Sequence, residues 1–197
     1  MLGPVSSFDP FDLLDVAADA FTATANQLTN DDWSRPTPCT DWDVGRLVDH
    51  VVGGNRFTTF ILAGLSAESA MRSTNASFAN DSSRARAVSD SMSAQRAAFR
   101  QPGALERVCH HVAGDLPAAR ILGFRITDLT LHRWDLARAT GMDEGIDDRL
   151  VEAVWADMGP YADDIAAIGQ FGSGPTGIVG DAAPLAVRML DLSGRRP

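Results

Sequence analysis

Three side chains stand out as chemically capable. In "TDLTLHRWDLARATG" (Thr127 to Gly141), Asp128 and His132 are four residues apart in a stretch rich in Leu and Ala and closed by Gly141. On a helix that spacing places a carboxylate and an imidazole one turn apart on the same face. Such a pair is either a charge-assisted hydrogen bond or half of a divalent-metal site. The face is otherwise largely apolar, shared with Ile121, Arg125, Leu129, Leu136 and Ala139. In "DWDVGRLVDHVVGGNRFTTFILAGL" (Asp41 to Leu65), His50 falls in a stripe with Leu47, Gly54, Phe57 and Ile61, so it is expected among apolar neighbours. Read alone, His50 is either a core imidazole or a third ligand. Bundles build metal sites from His and carboxylate side chains on facing helices.

Other residues invite weaker readings. Cys109, His110 and His111 are a rival ligand cluster, but neighbours in an extended segment point to opposite faces. Arg125, one turn before Asp128, is read as an ion-pair partner or as a contact for a carboxylate of a bound small molecule. Trp134 suits a groove between helices, and Asp135 a cap or an ion pair with a nearby Arg.

The elements that position these groups are helices. Phe8 to Leu28 forms the first, started by Asp9-Pro10 and carrying Phe11, Leu14, Ala18 and Phe21 at helical spacing. Thr29 to Trp42 is a connector, since Pro36 and Pro38 forbid regular helix there. The second helix is Asp41 to Leu65, where Gly53-Gly54 costs roughly 1 kcal/mol per Gly relative to Ala and suits a place of close approach. Ser66 to Ser82, small and polar, is expected to be loop with a short turn. A third helix fits Ser83 to Arg100. Ala104 to Arg120, with Gly114 and Pro117, reads as an extended crossover. A fourth helix begins near Pro117 and ends at Gly141, and a fifth runs from Asp147 to Ile168. The tail from Gly169 is Gly- and Pro-rich with one short apolar piece, "PLAVRMLDL". No internal repeat is visible. The pattern predicts a single all-α domain over residues 1–197, a four-helix bundle with a long crossover connection and an extra C-terminal helix.

Composition narrows the function. The 197 residues are 45% hydrophobic and 22% charged, an ordinary folding composition. A formal charge of -9 argues against nucleic acid and against anionic membrane surfaces as partners. No apolar run approaches the length that spans a bilayer. With two cysteines and no signal-like opening segment, a cytoplasmic protein with reduced thiols is expected.

"PTPCTDWDVGRLVDHVVGGNR" (Pro36 to Arg56) together with "DLTLHRWDLARATG" (Asp128 to Gly141) resembles the metal-binding family related to mycothiol-dependent maleylpyruvate isomerase, within the wider DinB-like superfamily of four-helix bundles. The ending "FGSGPTGIVGDAAPLAVRMLDLSGR" is similar to that of shorter, actinobacterial members. The resemblance implies a metal held by His50, Asp128 and His132, with Asp128 where the isomerase has Glu. It also implies an open coordination position that takes the sulfur of a low-molecular-weight thiol such as mycothiol, which then attacks an electrophilic substrate. The isomerase has a further C-terminal domain that contributes to its active site, and this chain runs only a short way past the bundle. The expected metal is divalent, zinc first, with nickel or iron as alternatives. The expected function is a mycothiol-dependent transferase or isomerase; the alternative is a non-enzymatic metal-binding or stress-related bundle. The expected partners are a small-molecule thiol, an electrophile and, through helix faces, a second copy of the chain.

Overall fold

The computed structural model describes residues 8–78, 83–162 and 174–197. Its helices are α1 (Pro10–Ala25), α2 (Val44–Leu62), α3 (Ala67–Ser77), α4 (Arg84–Phe99), α5 (Ala118–Thr140), α6 (Asp148–Met158) and α7 (Leu185–Leu192). A short antiparallel hairpin, β1 (Val108–His111) and β2 (Gly114–Pro117), lies between α4 and α5.

Helices α1 and α2 start where an aspartate side chain accepts a free N–H of the first turn. Asp9 caps α1 by accepting from the Phe11 N–H at 2.7 Å, with Pro10 in the first turn. Asp43 caps α2 through the Arg46 N–H at 2.8 Å. Gly141, at φ 71°, ends α5 in the left-handed conformation that glycine adopts without penalty.

Helices α1, α2, α4 and α5 form the bundle. Helix α1 packs on α5 and α4, and α2 packs on those same two helices. The pairs α1/α2 and α4/α5 are therefore diagonal, so the expected crossover before α5 is present and the α1–α2 connector crosses the bundle as well. Leu14, Phe21, Leu47, Ile61, Phe99, Ile121, Leu122, Leu129 and Leu136 fill the core, all at most 1% exposed. Helices α6 and α7 pack on each other, and α6 also meets α5 and α1.

Three expectations change. Ser66 to Ser82 is not mainly loop: Ser66 caps α3 through the Ser69 N–H, and Ala70 and Thr74 turn inwards against α2. The small residues that weaken the hydrophobic signal are what let α3 lie close. The segment before α5 is a β-hairpin with Cys109 opposite Leu116, reversed at a positive-φ Gly114. The fifth helix stops at Met158 and tightens into a 3₁₀ turn at Gly159–Tyr161, where Pro160 removes a backbone donor. The rest of its expected span, 163–168, lies outside the described residues.

Candidate metal centre and its cavity

The structure brings His50, Asp128 and His132 together. Asp128 Oδ1 stands 3.1 Å from His50 Nε2 and 3.4 Å from His132 Nε2. One ligand atom from each residue lies within 4.8 Å of the others. The two imidazole rings are 4.9 Å apart and nearly perpendicular. His132 is buried at 8% exposure, whereas the His50 side chain is 38% exposed. His50 is thus not enclosed among apolar neighbours as its stripe suggests. It stands on the wall of a cavity of about 980 Å³ whose lining also includes Trp42, Asp128, His132 and Arg195.

The other nitrogen of His132 is also held. Its Nδ1 lies 2.9 Å from Asp135 Oδ2, one turn further along α5. A carboxylate on Nδ1 fixes the tautomer that turns the Nε2 lone pair towards a metal, and it raises the basicity of the ring. Asp135 is fully buried and clamped by Arg195 from the C-terminal tail, Nε on Oδ1 at 3.1 Å and Nη2 on Oδ2 at 2.6 Å. Burial alone would raise the Asp135 carboxyl, but the His132 hydrogen bond and the Arg195 charge hold it down at about 2. Burial likewise disfavours charge on His132, yet the Asp128 carboxylate, aided by Asp135 and Cys39, lifts its pKa well above the ordinary imidazole range.

Asp128 is aimed by a second buried network. Arg125 Nη1 lies 3.1 Å from Asp128 Oδ2, and Arg125 Nη2 donates to Asn55 Oδ1 at 2.9 Å. Asn55 is fully buried; its Oδ1 also accepts from Gln95 Nε2 at 2.8 Å, and its Nδ2 donates to Ser91 Oγ at 3.1 Å. Helices α2, α4 and α5 are thereby tied behind the site. Gly54 gives Arg125 its room: a methyl group there would stand 2.9 Å from Arg125 Cζ. Arg125 is the ion-pair partner among its two sequence readings, directed at Asp128.

The connector before α2 contributes Cys39 and Trp42. Thr37 anchors it, its N–H and hydroxyl both donating to the Trp42 carbonyl at 3.1 and 3.0 Å. The Cys39 N–H donates to Thr37 Oγ1 at 3.2 Å. Asp41 takes φ 71° to complete the turn, a conformation that Asp tolerates better than most side chains. The "PTPCTDWD" stretch thus folds into a tight loop that carries Trp42 to 4.6 Å from the His50 ring and 5.8 Å from the His132 ring. Cys39 Sγ donates to Asp135 Oδ2 at 3.2 Å and lies 3.8 Å from His132 Nδ1. Cys39, His132 and Asp135 form a second ligand-capable group that shares His132 with the first.

Cys39, Trp42, Asn55 and Arg195 were missed by periodicity, because none repeats on a helical stripe with the triad. The first two fall within the stretch Pro36 to Arg56 that carries the family resemblance. The rival cluster does not assemble: Cys109 is buried at 1% exposure, while His110 turns outwards to Asp115. His111 faces the cavity instead. Trp134 is buried at 2% exposure and stacked under Arg138, as a groove filler should be.

The donor set suits a divalent metal. Two imidazole nitrogens and a carboxylate oxygen converge from two helices, and the buried His132 is oriented from behind. Asp128 Oδ2 is buried and meets Arg125 only as an ion pair, outside hydrogen-bond geometry. A metal held by these three groups would keep coordination positions for solvent or ligand, whereas a structural zinc is closed by four protein ligands.

These features define an all-α bundle with a His, Asp and His cluster at the end of a cavity. The chain belongs to the mycothiol maleylpyruvate isomerase N-terminal domain family, whose profile matches residues 14–137. An uncharacterized protein of Mycobacterium tuberculosis, found in strains CDC 1551 and H37Rv, is 32% identical over 142 residues, covering 72% of this chain and 73% of that protein. The crystal structure of the mycothiol-dependent maleylpyruvate isomerase superposes with a TM-score of 0.59 at 14% identity, over 79% of this chain and 71% of that one. A histidine-to-alanine mutant of that enzyme gives the same TM-score, 0.59, over 84% of this chain. At such identity the superposition establishes the fold. No helix among the described residues is long and apolar enough to cross a membrane.

Proposed function

We propose that the protein is a metal- and thiol-dependent enzyme of the transferase or isomerase type, with His50, Asp128 and His132 as metal ligands. One observation carries this reading. The Nε2 atoms of two histidines converge on Asp128 Oδ1, at 3.1 and 3.4 Å, in the wall of a cavity large enough for a thiol and a second small molecule. A divalent metal there supplies a Lewis acid that keeps a thiol sulfur in its nucleophilic form at neutral pH.

The protein's own groups do the rest. Asp135, locked by Arg195, holds His132 in the ligating tautomer. Arg125, locked by Asn55, holds Asp128. The Trp42 ring flanks both imidazoles and reduces the access of water to that side of the cluster. The cavity then places a bound electrophile against the sulfur, and holding two reactants in register is itself a large part of catalysis. Zinc suits this donor set first, with nickel or iron as alternatives. Mycothiol is the proposed thiol, because the family's named enzyme is mycothiol-dependent. A cytoplasmic setting, where thiols stay reduced, fits both free cysteines.

The test is direct. Purified protein is assayed for metal, then titrated with mycothiol by calorimetry. Stoichiometric metal, lost in His50→Ala and His132→Ala, and thiol binding only by the metal-loaded form are expected. Metal that remains stoichiometric in the double substitution would remove the triad. Metal binding without any thiol affinity would leave a metal-binding bundle and remove the enzyme.

A further inference from the structure

The cavity has a second, differently built end. Away from the His and Asp cluster it is lined by Phe57, Phe78 and Phe124, with Met71 and Tyr161 at its edge. His111, the last residue of β1, stands in this aromatic wall. Its ring meets Phe57 edge-on with centroids 5.7 Å apart, and it lies 5.9 Å from the Phe124 centroid. Two phenyl rings therefore hold one imidazole in place.

The protonation pattern of that imidazole is also set. The Ala113 N–H, from the turn of the same hairpin, donates to His111 Nδ1 at 3.1 Å. A nitrogen that accepts cannot carry the proton, so the neutral ring bears it on Nε2. Burial, and then the positive charge of Arg125, both hold His111 below the ordinary imidazole range, which keeps it neutral. No described residue accepts from Nε2. With Nδ1 turned back to its own hairpin, Nε2–H is the donor left to the cavity.

The charges along the wall restrict what that donor can meet. Each guanidinium lining the cavity among the described residues has its own carboxylate: Arg120 pairs with Asp157, Arg125 with Asp128, and Arg195 with Asp135. Arg120 is further occupied by stacking on Phe124, 4.6 Å from the ring centroid. A carboxylate entering this end would have to displace an existing ion pair. An uncharged ring meets phenyl faces and one hydrogen-bond donor.

We propose that this end of the cavity binds the body of an uncharged aromatic substrate, with His111 Nε2–H donating to a carbonyl oxygen on it. The inference rests on the proposed function, in which the His and Asp cluster serves the thiol and this end serves the electrophile. Ring binding supplies affinity, and the His111 hydrogen bond sets the depth and orientation of the carbonyl.

The probe is trans-cinnamamide, an uncharged aryl amide, titrated by calorimetry into the full chain in metal-loaded and metal-stripped forms. Saturable binding at one site is expected in both. His111→Phe, which keeps the ring packing and removes the donor, should weaken binding about tenfold, the usual size of one lost hydrogen bond. His111→Gln, which retains an N–H donor, should restore most of that loss, a recovery that a purely structural role would not produce. Maleate, a dicarboxylate, should neither bind the metal-stripped protein nor compete with cinnamamide. Absence of saturable cinnamamide binding, equal binding by His111→Phe, or competition by maleate would each overturn the proposal. Because the metal-stripped form is measured, this test and the metal titration fail independently.

Discussion

His132 Nδ1 lies 2.9 Å from Asp135 Oδ2, and the opposite nitrogen of the same ring faces Asp128 and His50. Asp135 is in turn held by Arg195, sixty residues further along the chain. The C-terminal tail thus orients a histidine in the middle of α5 through the Asp135 carboxylate. Asp135→Asn keeps the shape of the side chain and removes its charge. It should weaken metal binding by about 10- to 100-fold, the usual effect of losing a carboxylate behind a ligating histidine. Competition against a calibrated chelator measures this, and unchanged affinity would show that the orientation of His132 does not depend on Asp135.

The tail itself is testable through Arg195. Arg195→Met removes the clamp and leaves the buried Asp135 charge with only His132 and the Cys39 thiol to offset it. A stability loss of roughly 3 kcal/mol is expected for breaking a buried pair from one side, together with weaker metal binding. Urea unfolding of the metal-stripped protein isolates the first effect. A loss well under 1 kcal/mol would indicate that water reaches Asp135.

The glycine pair of α2 should separate into two behaviours. A methyl group on Gly53 would meet Phe78 Cζ at 3.5 Å, an ordinary contact. Gly53→Ala should therefore gain about 0.5–1 kcal/mol from helix propensity. Gly54→Ala gains the same propensity but drives a methyl group into the Arg125 guanidinium, which Asn55 and Asp128 hold in place. It should show little or no gain in melting temperature and a clear loss of metal affinity. Identical effects at the two positions would mean that Arg125 relocates freely.

The buried Asn55 joins α2 to α4 and α5. Asn55→Leu leaves the Gln95 amide and one Arg125 nitrogen without their acceptor. The expected cost is roughly 2–6 kcal/mol, from stranding two buried donors at about 1–3 kcal/mol each. Thermal and urea unfolding check it.

Acid should find the Asp135 clamp. Its carboxyl titrates at about 2 in the folded chain, held down by His132 and Arg195 against the opposing effect of burial. A depressed carboxyl contributes stability that is fully present above the unfolded value near 4 and disappears as pH falls towards 2. The contribution is about 2 kcal/mol by the linkage relation. Metal-stripped wild type should lose that much more stability than Asp135→Asn between pH 5 and pH 2. Parallel pH profiles would dissociate the clamp from folding stability.

Much of this arrangement is legible in the chain itself. Residues at helical spacing determine α1, α2 and α5, and Asp9, Asp43 and Gly141 mark their ends, because caps and apolar stripes are local chemistry. The four-residue interval of Asp128 and His132 is likewise local, since one helical turn places both on one face. Helix α3 was hidden because small polar residues give no apolar stripe, and its burial comes from what α2 presents to it. The hairpin was hidden because four-residue strands carry too little alternation to register.

What the tertiary structure alone decided is how far each group's surroundings extend along the chain. His50 looks apolar on its own helix and proves accessible, because the cavity opens where α2 meets α5. Cys39 and Trp42 reach the site through a loop closed by Thr37, Asn55 acts through α4, and Arg195 returns from the last residues to hold Asp135. Helical periodicity reports which face a residue occupies; only the packing of α2, α4, α5 and the tail decides what that face meets.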